Sequence, residues 1–372
     1  MEFAIARETF LKALQRVQGI VENRKTMPIL SNVLINAQPE QIEIIATDLE
    51  VGMKGSYPAE VTIPGSITVS AKKLYEIIKE LPEEQIHFST LENDWVDLKC
   101  GKASFNLVGL SPDEFPFFPT VNEHTFLALN GSLLREMIEM TSFAICHDET
   151  KYNLNGIFVK SLEQDGNSIL RMVATDGHRL SLAERNIPSV ALTDLQNGVI
   201  FPKKGIFELK KLTDDNDDEI MLCFFDNSAV MKKNDTVIVM RLVDGYFPDY
   251  TRVMPTENDK TVIVKREDFI HSLRRMAILS SEKFKGIMMD LKNGVMEISA
   301  SNPELGDARE TLEVTYSGPD LSIRFNARYL LDSLAVMGQE YVTLELKDEL
   351  SPAILKPNQA EGFLTVIMPM RV

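Results

Sequence analysis

The chain has 372 residues, of which 44% are hydrophobic and 25% charged, with 17 Pro, 19 Gly and 3 Cys. This composition excludes extended disorder, collagen-like repeats and a disulfide scaffold. The formal charge of −16 argues against indiscriminate coating of nucleic acid, because phosphate binding is dominated by Lys and Arg. At roughly 100–200 residues per domain, two or three domains are expected. No apolar run approaches the roughly 20 residues that span a bilayer, and Met1-Glu2-Phe3-Ala4 does not open a basic, then apolar, export signal. Cys100, Cys146 and Cys223 are far apart and outside any CxxC pair, as expected for reduced thiols. A soluble cytoplasmic protein with no membrane partner is the expectation.

In chain order, Phe10, Leu11, Leu14 and Val17 recur at helical spacing after Arg7-Glu8-Thr9. Strand-like runs follow at Asn32 to Ile35 and Ile42 to Asp48. Ser66 to Ser70 leads into a second helix from Ala71 to Leu81, and three strand-like runs close the unit at Phe115-Pro116. The same order returns from Gly131 to Phe247-Pro248, and again from Lys265 to Met368-Pro369. An Ala-Thr-Asp or Ala-Ser-Asn loop falls at Asp48, Asp176 and Asn302, and the closing proline at Pro116, Pro248 and Pro369. Helices are predicted over 7–21, 71–81, 131–145, 203–212, 265–279 and 324–337, and each unit reads as two β-α-β-β-β halves. The predicted class is α+β. Three tandem domains, 1–123, 124–256 and 257–372, each carry two helices on about eight mostly antiparallel strands.

The six predicted helices hold 17 basic and 9 acidic residues, a net of +8, so the remainder carries −24. Lys12 and Arg16, Lys72 and Lys73, Lys203, Lys204, Lys210 and Lys211, and Arg274 and Arg275 all fall on repeated helices. One reading is a surface for phosphate inside a body that repels it elsewhere. The other is that long cationic side chains decorate any solvated helix face. The helices lack a set of Asn, Gln and Arg aimed at base edges, so any duplex contact is expected to be blind to sequence.

Asp176-Gly177-His178-Arg179 is the most enzyme-like string, and with Ser181 it has the residue types of a hydrolytic triad. No GxSxG elbow accompanies it, so a loop histidine held by local hydrogen bonds, or lining a binding site, is expected instead. Asp214 to Glu219 lacks the glycine and late glutamate of a calcium loop. There is no GxxxxGK[ST], GxGxxG or HExxH motif, so no catalytic residue, metal or cofactor is expected. The final run, Val366-Ile367-Met368-Pro369-Met370-Arg371-Val372, is either a buried last strand or the lip of an apolar, Met-rich groove.

The repeat, together with Arg24-Lys25-Thr26-Met27-Pro28-Ile29-Leu30, Ala174-Thr175-Asp176-Gly177-His178-Arg179-Leu180, Asp244-Gly245-Tyr246-Phe247-Pro248-Asp249-Tyr250 and Met368-Pro369-Met370-Arg371, resembles the bacterial DNA polymerase III beta subunits, the sliding clamps, over the whole chain. The resemblance implies a processivity factor, not an enzyme. Its fold would be a head-to-tail homodimer whose domains close into a ring around duplex DNA. It implies DNA-facing Arg24, Lys25, Lys12, Arg16, Tyr152, Lys203, Lys204, Lys210, Arg274 and Arg275. At the dimer interface it brings Phe105 and Leu107 against Ile278 and Leu279, with Lys72 and Lys73 near Glu304 and Asp307. A partner peptide would dock between the second and third domains. There it would meet Leu154, Thr175, Gly177, His178, Arg179, Leu180, Pro248, Arg252, Val253, Asn326, Tyr329, Ile367, Met368, Pro369, Met370 and Arg371. Pro352 and Asn153 stand where the family often has Ser and Tyr. The implied partners are duplex DNA, a second copy, the replicative polymerase alpha subunit, an ATP-driven clamp loader, and replication and repair proteins carrying a short clamp-binding peptide. The alternative from another class is an open DNA-binding regulator that reads a groove with the same basic helices; a hydrolase built on His178 is third.

Overall fold

The computed structural model describes residues 1–21, 27–119, 126–188, 193–213, 218–280 and 286–370. Arg24, Lys25 and Arg371 lie outside them. The first repeat runs β1 (Glu2–Ala6), α1 (Arg7–Val17), β2 (Asn32–Gln38), β3 (Gln41–Thr47), β4 (Val51–Pro58), β5 (Glu60–Ile63), β6 (Gly65–Ser70), α2 (Ala71–Glu80), β7 (Gln85–Thr90), β8 (Trp95–Cys100) and β9 (Ala103–Leu110). The second runs β10 (Leu127–Asn130), α3 (Gly131–Ser142), β11 (Gly156–Gln164), β12 (Asn167–Thr175), β13 (Arg179–Ile187), α4 (Thr193–Asn197), β14 (Val199–Pro202), α5 (Lys203–Thr213), β15 (Glu219–Phe225), β16 (Ser228–Lys233) and β17 (Thr236–Arg241). The third runs β18 (Lys260–Lys265), α6 (Arg266–Leu279), β19 (Gly286–Lys292), β20 (Val295–Asn302), β21 (Gly306–Glu313), β22 (Leu321–Asn326), α7 (Ala327–Ala335), β23 (Tyr341–Leu346), β24 (Ala353–Pro357) and β25 (Phe363–Ile367). The β-α-β-β-β order occurs twice in every repeat, with β5 inserted in the first and α4 in the second.

The six predicted helices form, with shifted ends. Helix α1 stops at Val17, four residues short of its predicted end, and Gly19 lies just beyond. The Glu208 carboxylate and the Lys211 ammonium come close to Gly19 there, so a side chain at this position would have to displace them. Residues 324–326, predicted as helix, are the end of strand β22. Helix α7 starts after Asn326, whose Oδ1 accepts the Arg328 N–H at 3.0 Å.

Small repeated devices explain why the pattern was visible. Asp48 Oδ1 accepts the N–H groups of Glu50 and Val51, at 2.9 and 2.7 Å. Asp176 Oδ1 does the same for His178 and Arg179, at 2.9 and 3.0 Å. Asn302 Oδ1 accepts the Glu304 N–H at 3.0 Å. Each marker residue thus closes a hairpin with its own side chain. Arg7 at the start of α1 donates to the Ile78 and Lys79 carbonyls, at 3.1 and 2.5 Å, satisfying the end of α2. Arg266, at the start of α6, donates to the Leu334 carbonyl of α7 at 3.1 Å.

Pairing gathers the chain into two compact bodies, Met1–Ser132 with Lys204–Leu242 and Leu133–Lys203 with Val243–Val372. The first holds a 13-stranded sheet ordered β10-β15-β16-β17-β4-β3-β2-β6-β9-β8-β7-β1-β5. Here β4 of the first repeat pairs antiparallel with β17 of the second, Gly52 opposite Val239. Helix α1 buries Phe10, Ala13, Leu14 and Val17. Phe10 meets Phe3 edge-on at 6.2 Å, and Phe3 stacks on Phe88 at 4.8 Å. Each such ring contributes about 1.5–3 kcal/mol by leaving water.

The second body holds an eight-stranded sheet, β14-β11-β12-β13-β25-β24-β23-β18, and a four-stranded one, β21-β20-β19-β22. Here β13 of the second repeat pairs with β25 of the third, Leu180 opposite Val366. Two edges of the same kind stay open among the described residues. Strand β21 ends its sheet, and β9 bonds to β6 only at Gly109 and Leu110.

Candidate functional site

In the second body, the β13·β25 junction opens into a cavity of about 150 Å³. Its floor is a cluster of Val173, Leu180, Leu182, Ile354 and Val366, packed against Phe158, Phe247, Tyr250, Met254 and Leu364. The β12–β13 turn brings Thr175, Gly177, His178 and Arg179 to it; the segment from Pro248 to Val253 forms another wall, and Leu154 and Met368 complete it. An apolar basin rimmed by a few polar groups holds hydrophobic side chains of a small ligand or peptide.

Nine of the residues that the resemblance assigns to a pocket line this cavity: Leu154, Thr175, Gly177, His178, Arg179, Leu180, Pro248, Val253 and Met368. Tyr329 stands behind the wall, its ring 6.5 Å from His178 and nearly parallel to it. Burial, with the Asp176 carboxylate nearby, pushes its phenol pKa up. Asn326 caps α7 instead. Arg252 is solvent-exposed and paired with Asp249 at 3.1 Å. The Asp249 carboxyl is held below its ordinary value, first by the Thr251 hydroxyl. Ile367 is fully buried and does not line the cavity.

Met370 departs from the sequence expectation. The period of two puts Met368 and Met370 on one face of a continuing strand, but β25 ends at Ile367. Pro369 has no N–H to continue a ladder. Met368 donates its N–H to the His178 carbonyl at 2.9 Å, and Met370 donates to the Arg324 carbonyl at 2.8 Å. Met370 therefore sits beside Gly286, not in the cavity.

Three lining residues were missed: Asp249, Tyr250 and Val366. Tyr250 belongs to the Asp244–Tyr250 motif, and Val366 follows from Met368 by strand alternation, so both signals were present. The Tyr250 hydroxyl accepts from Arg171 Nη1 at 3.0 Å. Burial disfavours the Arg171 charge, but the hydrogen bonds with Tyr250 and Glu184 outweigh it and raise the pKa.

Two members of the triad-like string, Asp176 and Ser181, make hydrogen bonds away from the His178 ring. Asp176 holds the turn and receives Arg179 Nε at 3.1 Å, while the Ser181 hydroxyl donates to the Met140 carbonyl at 2.5 Å. Arg179 is 8% exposed and reaches Asp332 Oδ2 at 2.7 Å and the Phe143 carbonyl at 2.6 Å. Asn153 donates to the Tyr246 carbonyl at 3.1 Å, and the Pro352 carbonyl accepts from Asn258 at 3.3 Å.

The basic residues are not equally available. In the first body, Lys12 pairs with Glu8 at 2.9 Å with both side chains exposed, and Arg16 Nη1 donates to Thr236 at 3.1 Å. Lys204 is structural in this state, donating to buried Asp48 at 2.5 Å and to the Ile20 carbonyl at 2.9 Å. In the second body, Lys203 meets His147 at 2.6 Å, Arg275 pairs with Glu310 at 2.5 Å, and Arg274 is exposed. Tyr152 is 60% exposed. Among the residues expected at a dimer interface, Phe105 and Ile278 are exposed at 37% and 75%, Leu107 and Leu279 are half-buried, and Lys73 pairs with Glu76 at 2.9 Å.

Families described as the DNA polymerase III beta subunit match the chain in three pieces: the N-terminal domain over residues 1–119, the central domain over 128–249 and the C-terminal domain over 251–371. The beta sliding clamp of Pseudomonas aeruginosa is 39% identical over the full length of both chains, and that of Caulobacter vibrioides 34%. The crystal structure of the P. aeruginosa DNA polymerase III subunit beta covers the whole chain with a TM-score of 0.92 at 39% identity. A Bartonella birtlesii sliding clamp bound to griselimycin gives 0.95 at 35%. No described helix is long and apolar enough to cross a membrane. The repeats, the strand junctions and these relatives lead to one conclusion: the chain belongs to the DNA polymerase III beta subunit family and is a DNA sliding clamp.

Proposed function

We propose that two copies close head to tail into a ring, joining the open edges β9 and β21, and that this ring links the protein topologically to duplex DNA in the cytoplasm. The observation that carries the reading is that neighbouring repeats already join by this kind of strand pairing, β4·β17 and β13·β25, while β9 and β21 keep open edges. The hairpins β8–β9 and β16–β17 turn over two residues alike, and Thr47↔Gly52 corresponds to Ser301↔Asp307. Transferring the β4·β17 register on that basis sets Phe105 of one copy opposite Ala308 of the other. Pairing would bury exposed Phe105, Val108 and Ile278 and remove an aggregation-prone edge. Domain boundaries after residues 123 and 256 accompany this reading.

A closed ring needs no tight DNA contact. A weak basic lining then permits sliding, and the ring must be opened by an external ATP-driven loader. The cavity at the β13·β25 junction takes the short apolar peptide of the polymerase alpha subunit, the loader and repair proteins in turn. Two buried apolar side chains contribute roughly 3–6 kcal/mol before ordering costs, less than the roughly 8 kcal/mol of micromolar binding, so these anchors alone hold a peptide weakly enough to exchange.

Sedimentation and DNA retention test the ring. Ile278→Ala with Leu279→Ala is expected to give monomers at micromolar concentration. Loaded protein should remain on circular DNA and run off linear DNA. An open groove-reading regulator would instead hold both alike and show sequence preference. Titration of a labelled peptide, with griselimycin as competitor, tests the cavity; no displacement would count against it.

A further inference from the structure

We propose that Asp332 is a positioning residue of the pocket: without lining the cavity, it fixes the Arg179 guanidinium on which the Tyr329–His178 wall rests. The inference builds on the reading of the cavity as a peptide pocket. Arg179 is 8% exposed, and a buried guanidinium must have its donors met. Nε takes Asp176 Oδ2 at 3.1 Å and Nη2 takes the Phe143 carbonyl at 2.6 Å. Both partners belong to the second repeat, and Asp176 already holds two turn N–H groups on its other oxygen. The remaining contact, Nη1 to Asp332 Oδ2 at 2.7 Å, comes from α7 of the third repeat. It decides where the guanidinium lies relative to that helix.

That placement reaches the pocket in two steps. The Arg179 Cζ sits 4.6 Å from the centre of the Tyr329 ring, within the range of a cation–π contact. Tyr329 then stacks on His178, with 17° between the planes, and His178 lines the cavity. Asp332 and Tyr329 lie three residues apart on one helix, so they share a face. One carboxylate thus aligns Arg179, and Arg179 aligns the aromatic wall. The other cation near Asp332, Arg328, is 3.8 Å away with a side chain 68% exposed, a pair of little weight.

The test uses the full-length dimer, a fluorescein-labelled peptide carrying Leu and Phe near its C-terminus, and the imidazole NMR signal of His178 in histidine-labelled protein. The signal is identified by its loss in His178→Gln. Asp332→Asn, nearly isosteric, is expected to shift the His178 signal out of its ring-stacked position and to weaken the peptide about tenfold, the loss of one charge-assisted hydrogen bond. Arg179→Lys, which keeps the charge but loses the planar fork, should move the same signal. Arg328→Ala should change neither reading. An unmoved His178 signal in Asp332→Asn overturns the proposal, even if affinity falls with the melting temperature, because Asp332 would then only stabilise α7. If the peptide fails to bind the unmodified dimer, the pocket reading falls, while the His178 shift still decides whether Asp332 sets the wall.

Discussion

The two junctions between repeats use the same strand pairing and end differently. At β4·β17, a Cβ on Gly52 would lie 3.0 Å from the Phe118 ring. That ring packs against both the Ile29–Ile45–Phe115 cluster and the Cys223–Val230–Val239 cluster. At β13·β25, Leu180 stands where Gly52 stands and Tyr250 where Phe118 stands. Leu180 occupies the space that glycine leaves to the ring, and Arg171 holds the Tyr250 hydroxyl at 3.0 Å. On this face the first junction is sealed by an aromatic ring, its groove of about 510 Å³ lying on the helix side between Arg16, Met53 and Thr236; the same face of the second junction keeps a cavity of about 150 Å³. The charges differ as well. Lys204 of the second repeat reaches back to Asp48 of the first, whereas Arg179 stays beside Asp176 and reaches forward to Asp332. A sealed face and an open cavity thus come from one architecture, through the size of a single strand residue and one phenolic hydroxyl.

The sealed junction is expected to be the more fragile to loss of charge. The Asp48 side chain is fully buried and that of Lys204 22% exposed. Lys204→Met leaves the carboxylate without its cation and is expected to cost about 2–4 kcal/mol in urea unfolding, at the lower side of a broken buried pair because Lys204 is partly solvated. A loss below about 0.5 kcal/mol, the level of a surface pair, would show that this joint is not held by the pair. Phe118→Ala should come next, at about 2–3 kcal/mol for a partly buried ring. Since it opens the position that Tyr250 leaves open in the other junction, it should leave peptide affinity there unchanged.

Tyr250→Phe tests the open side. Without its hydroxyl the ring is released from Arg171 and can lean into the cavity as far as Leu180 leaves room. The expected result is about fivefold weaker peptide, near 1 kcal/mol for one hydrogen bond, with fluorescence anisotropy as the measurement. Unchanged affinity would mean that the Arg171 contact does not hold the pocket open.

The repeat was legible because its markers do local work: Asp48, Asp176 and Asn302 each close their own hairpin, which fixes residue type at a fixed place in the order. Fold class and helix positions followed. The ends did not: α1 stops at Val17, four residues before its apolar spacing ends. The same limit applies to the site. Thr175 and residues 177 to 180 belong to one local motif and line the cavity together. Met370 does not line this cavity, because Pro369 ends the ladder and the Arg324 carbonyl captures the next N–H. Arg171 and Asp332 had no sequence signal, because their importance lies in which distant side chain each one meets.

The smallest expected effect lies at the open edge. Arg275 occupies in α6 the position of Arg16 in α1. Arg16 reaches across its junction to Thr236 on β17; Arg275, with no partner strand beside β21, turns to Glu310 of its own repeat, Nε to Oε2 at 2.9 Å. In the transferred register Ala103 stands where Thr236 does, so a second copy offers Arg275 no hydroxyl and the pair with Glu310 should persist in the dimer. The hydrogen bond from Arg275 is the main reason the Glu310 carboxyl lies below its ordinary value of 4.5. A carboxyl with a lowered folded-state pKa stabilises the fold above its unfolded value, and that contribution is lost as pH falls through the folded one. Glu310→Gln should therefore cost about 0.5 kcal/mol at neutral pH, a small figure because Arg275 is 53% exposed and Glu310 28%. The difference from the unmodified protein should shrink below pH 4.5 and disappear in stronger acid. It should be the same in the dimer and in the Ile278→Ala, Leu279→Ala monomer. If Glu310→Gln instead changes the dimer dissociation constant at neutral pH, the pair belongs to the interface, and the third junction does not copy the first two.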